Sequence, residues 1–64
     1  MKREQFLRVL RRKAKDLGLQ LRVEKSSGKG SHYRVYVGSR FSVVQSGELT
    51  PLMMKTIRKQ LGLL

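Results

Sequence analysis

His32-Tyr33-Arg34-Val35-Tyr36-Val37-Gly38-Ser39-Arg40-Phe41-Ser42-Val43-Val44 places two apolar-rich runs on either side of Gly38 and Ser39. In the first run Tyr33, Val35 and Val37 alternate with His32, Arg34 and Tyr36, the two-residue period of a strand buried on one face. Gly38-Ser39 marks a turn, and Phe41 to Val44 reads as the next antiparallel strand. Two registers are open. A strict two-residue turn places Val37 opposite Arg40 and puts Phe41 and Val43 on the His32 face. A three-residue loop of Gly38 to Arg40 aligns Phe41 and Val43 with Tyr33, Val35 and Val37. The second is expected, because it gathers the apolar residues on one face and leaves His32, Arg34 and Tyr36 on the other.

Upstream, Leu19, Leu21 and Val23 alternate with Gln20, Arg22 and Glu24, which predicts another strand. Between it and His32 lies a loop, Ser26 to Ser31, whose Gly28 and Gly30 permit positive φ and close approach of backbone amides to an anion. From Lys2 to Leu17 the residues Phe6, Leu7, Leu10, Ala14 and Leu17 fall at helical spacing, with Gly18 as C-terminal cap. Arg8, Arg11, Arg12 and Lys15 form a basic stripe on this helix, either solvated or set against phosphate. Downstream, Thr50-Pro51 opens a second helix with a capping hydroxyl and a ring suited to the first helical position. Met53, Met54, Ile57 and Leu61 form its apolar face, and Gly62 ends it. The order helix, three strands, helix predicts one α+β domain over residues 1–64, with both helices covering one face of a three-stranded antiparallel sheet.

A chain of 64 residues with a formal net charge of +11 carries a positive field over most of its surface, so its natural partners are polyanions, nucleic acid first and an acidic protein second. No apolar run approaches the roughly 18 residues of a membrane span, and no signal-peptide stretch follows the charged N-terminus. Cysteine is absent and histidine occurs once, which excludes zinc sites and disulfides and is compatible with the cytoplasm. The four acids, Glu4, Asp16, Glu24 and Glu48, are scattered over different elements, so a two-metal nuclease is not expected. No metal or other cofactor is called for.

RNA cleavage asks for less, because the substrate supplies its own nucleophile in the 2′-hydroxyl. The protein must provide a base and positive charge. His32 is the one side chain here that ordinarily titrates near neutrality, which makes it a candidate general base as well as a candidate ordinary surface residue. Lys29, Arg34 or the loop amides of Gly30 and Ser31 can stabilise the charge that builds on phosphorus. Tyr36 can stack on a base or simply cover the rim of the sheet. This inventory permits a metal-free ribonuclease without demanding one.

Gly30-Ser31-His32 at the start of a strand, after a glycine-containing basic loop, resembles the HicA toxins of type II toxin-antitoxin systems. The closing Ile57-Arg58-Lys59-Gln60-Leu61-Gly62-Leu63 is similar to that family's C-terminal helix ending, and the likeness spans essentially the whole chain. The resemblance implies a double-stranded-RNA-binding-domain-like α-β-β-β-α fold and an mRNA interferase activity without metal. It carries His32 over as the catalytic residue; Lys29, Gly30, Ser31, Arg34 and Tyr36 are expected toward RNA from their own chemistry and position. It further implies a HicB-type antitoxin, with the toxin a monomer when free and part of a hetero-oligomer when inhibited. Many relatives have a proline and often another histidine after the third strand, whereas this chain has Val43-Val44-Gln45-Ser46-Gly47, so no second functional residue is carried over. The alternatives are a non-catalytic RNA-binding module of the same fold and a relative that only binds protein.

Overall fold

Arg3, Phe6, Leu7, Leu10 and Ala14 recur every three or four residues and form the buried stripe of helix α1 (Arg3–Asp16). The structure, a computed structural model, describes residues 1–25 and 32–64, so Lys29, Gly30 and Ser31 lie outside the described residues. Helix α1 ends where Gly18 turns to φ 72°. There the Leu19 N–H donates to the Ala14 carbonyl at 2.8 Å and the Gly18 N–H to the Lys15 carbonyl at 3.0 Å, which satisfies two of the last carbonyls. Leu17 and Leu19, expected in the core, are instead 51% and 42% exposed. Strand β1 (Leu21–Lys25) begins only after them, so no sheet lies beneath either side chain.

Strands β2 (His32–Val37) and β3 (Arg40–Gln45) complete an antiparallel sheet in the order β1-β2-β3. The β2–β3 pairing corrects the expected register. Val37 faces Arg40, Tyr36 faces Phe41, Arg34 faces Val43 and His32 faces Gln45, so the turn is the two-residue Gly38-Ser39. Gly38 sits at φ 59° while Ser39 has a negative φ, the sign pattern of a tight hairpin turn whose twist matches its strands. Turn geometry therefore overrides the gathering of apolar residues. Ser42 and Val44 point inward, and the buried Ser42 hydroxyl is satisfied by donating to Gln60 Oε1 at 2.5 Å. Phe41 and Val43 point outward and are 55% and 46% exposed.

Helix α2 (Pro51–Leu61) starts with Thr50 Oγ1 accepting from the Met53 N–H at 3.2 Å, a cap worth about 1 kcal/mol. It closes like α1. Gly62 adopts φ 71°, and the Leu63 N–H donates to the Arg58 carbonyl at 2.8 Å, which carries Leu63 into the core. The Arg40 side chain lies across this glycine, where its cation also complements the C-terminal end of the helix dipole. Ile57, Leu61 and Leu63 join Phe6, Leu10, Val35, Val44 and Leu49 in one core between the sheet and both helices, while Met53 and Met54 are only half-buried against it. The result is the expected α-β-β-β-α domain with its helices on a single face. No helix among the described residues is long and apolar enough to cross a membrane.

Two predictions follow from this register and from the way the N-terminus is tied down. Val44→Ser should cost roughly 2 to 4 kcal/mol in urea unfolding, through a cavity and a stranded hydroxyl. Val43→Ser, on the open face, should fall within about 0.5 kcal/mol of the parent. The reverse order would restore the three-residue loop. The Leu49 N–H donates to the Met1 carbonyl at 2.8 Å, and the Met1 ammonium hydrogen-bonds and pairs with the Glu48 carboxylate. That ammonium holds the Glu48 carboxyl below its ordinary value. A carboxyl lowered in the folded state contributes stability above the ordinary carboxylate range and loses it as pH falls through the lowered value. Unfolding midpoints of Glu48→Gln should therefore drop less on acidification than those of the parent.

Candidate nucleic-acid interface

Because the helices occupy one side of the sheet, every second strand residue on the other side meets solvent. The β1–β2 register sets Arg22 beside Tyr36 and Glu24 beside Arg34, and β3 then adds Phe41, Val43 and Gln45. The open face thus consists of cross-strand rows. One is Arg22, Tyr36 and Phe41; the next is Glu24, Arg34 and Val43; the last holds His32 and Gln45.

In the first row the Arg22 guanidinium lies 4.5 Å from the Tyr36 ring centroid, and the Tyr36 and Phe41 rings are 6.0 Å apart with 33° between their planes. These contacts hold Tyr36 half-buried with one neighbour on each side. Arg22 also reaches Glu24 at 3.8 Å, the one carboxylate in these rows. Arg34 is exposed midway between His32 and Tyr36.

His32 is exposed at the first position of β2 and lines a cleft of about 390 Å³ that runs from the open face around the edge of β3 to α2. Val43, Gln45, Leu52, Thr56 and Gln60 contribute to its walls. An imidazole here can exchange protons with a bound ligand while Arg34, two residues along the same face, supplies charge. Among the described residues no group of three or more His, Cys, Asp or Glu side chains is placed to hold a metal ion.

The structure brings His32, Arg34 and Tyr36 together on one face, as the alternation of β2 predicts. Lys29, Gly30 and Ser31 fall outside the described residues. Phe41, Val43 and Arg22 were missed as members of this face, the first two because of the register. On the other layer Arg8, Arg11, Arg12 and Lys15 are all exposed, and Arg8 and Arg11 border a recess with Lys25 and Tyr33 between α1 and β1. Arg3 was also missed. It extends the apolar stripe of α1 by one turn, with its guanidinium 3.6 Å from the Tyr33 ring centroid.

No protein-family model, curated protein or solved structure matches this chain.

If phosphate meets the open face, Arg34→Ala should reduce the slope of log affinity against log salt for single-stranded RNA by about 0.7, one phosphate's worth of released counterions. An unchanged slope, measured by fluorescence anisotropy, would remove Arg34 from the interface.

Proposed function

We propose that this chain is a metal-independent endoribonuclease toxin of the HicA kind, acting on mRNA in the cytoplasm and held inactive by an acidic HicB-type antitoxin. The observation that carries the reading is the position of His32, solvent-exposed on the wall of a cleft and in line with Arg34 and Tyr36 on a sheet face that neither helix covers. The resemblance of Gly30-Ser31-His32 and of the Ile57 to Leu63 ending to HicA supports it, as does the net charge of +11.

In this mechanism the His32 imidazole takes the proton of a 2′-hydroxyl as that oxygen attacks the adjacent phosphorus. The bond from phosphorus to the 5′-oxygen breaks, and the leaving oxygen takes a proton from solvent. The products are a 2′,3′-cyclic phosphate and a 5′-hydroxyl. Arg34 stabilises the additional negative charge on the phosphoryl oxygens during the transfer.

The second reading, a non-catalytic RNA-binding module, draws on the same basic face and needs no proton transfer. Expression of the chain beside its His32→Ala variant, with transcript integrity followed, separates the two. Growth arrest and transcript cleavage by the parent alone, persisting with purified protein in EDTA, is the expected result. His32→Ala should keep the parent's circular dichroism, since an exposed side chain is removed. RNA binding by both proteins with cleavage by neither would leave the binding module.

A further inference from the structure

We propose that the Arg22–Tyr36–Phe41 row is a stacking platform for the bases of single-stranded RNA, placed to hold the strand beside the bond presented to His32. The proposal deepens the ribonuclease reading and rests on it for the placement of a scissile bond at His32, but base binding itself requires no cleavage.

Phe41 is a large apolar ring left 55% exposed on an open sheet face, and Val43 beside it is 46% exposed. Both belong to the rows that also hold Tyr36 and Arg34, so the exposed apolar groups stand beside a ring and a cation. The composition of this face selects the occupant. Two rings of different strands lie side by side, with Arg22 over the far side of Tyr36 and Arg34 in the adjoining row. Sequence-tolerant stacking on aromatic rings, with cations tracking the backbone, is how single-stranded nucleic acid is held. A duplex keeps its base faces stacked inside the helix and offers them to no ring. The surrounding charge, +11 over the chain, favours a polyanion over an apolar or basic protein surface.

The spacing along β2 gives the platform a reach. His32 and Tyr36 are four residues apart on one strand face, about 13 Å at about 3.3 Å per residue. A stacked strand covers that distance in about four nucleotides at about 3.4 Å each, and a stretched one in fewer. The platform therefore grips bases near the bond at His32 without touching the reacting atoms. Beyond Tyr36 a recess bordered by Gly18, Gln20 and Gly38 continues the row, leaving room for the edge of a stacked base.

The test uses the full chain and a fluorescent single-stranded RNA whose 2′-hydroxyls are methylated, so that no bond is cut, beside a duplex of the same sequence. Phe41→Ala should weaken single-strand binding roughly 5- to 150-fold, the span of one lost stacking contact. Phe41→Trp should restore it, and neither change should alter duplex binding. Because Phe41 is exposed, circular dichroism of the variants should match the parent. Equal single-strand affinity of parent and Phe41→Ala would overturn the platform, as would loss of affinity for an acidic protein with RNA binding intact. Cleavage of unmodified RNA by His32→Ala would sink the catalytic reading while leaving this binding result to stand.

Discussion

The two-residue turn at Gly38-Ser39 is the constraint on which the other features rest. One residue more in that loop would exchange the two faces of β3, sending Phe41 and Val43 inward and Ser42 and Val44 out. The observed register does the opposite. It gives α2 a surface of Val44 and the small Ser42, whose hydroxyl meets Gln60, and it gives solvent an aromatic row. A single glycine able to take φ 59° thus decides both the core and the candidate interface.

Two helices of 14 and 11 residues suffice to cover one side of a three-stranded sheet and no more. A domain of this size leaves about 40% of the surface of its unfolded chain accessible. Turn and cap chemistry adds about 1 kcal/mol per cap to the small core. Both helices end in the same glycine geometry, and in α2 that cap returns the chain so that Leu63 is buried. The open face is then free of packing duties, which lets a ring as large as Phe41 stand in solvent with little effect on the fold.

Local chemistry made the order of elements and their caps readable, because Gly18, Thr50-Pro51 and Gly62 each act within a few residues of their own position. The outward set His32, Arg34 and Tyr36 was readable from the alternation of β2. The face of β3 was not, since Phe41-Ser42-Val43-Val44 carries apolar groups in both phases and the partner that satisfies Ser42 lies on a distant helix. Leu17 and Leu19 extend the right periodicities but overrun the edge of the sheet, and periodicity does not say where the opposing surface stops. Arg3 follows the stripe of α1 faithfully, yet its charge argues for solvent unless Tyr33 is known to lie beneath it. The site was therefore half legible: the strand that bears His32, but not the neighbouring strand that widens its face.

The edge position of β3 has a colloidal consequence. Its outer edge pairs with no further strand among the described residues and, next to Phe41, Val43 and the exposed Leu52, has the ingredients for strand-to-strand pairing between copies. Mutual repulsion between bodies of charge +11 opposes such pairing. The same excess of basic residues that sets the positive field therefore also opposes self-association, and screening that charge with salt weakens the opposition.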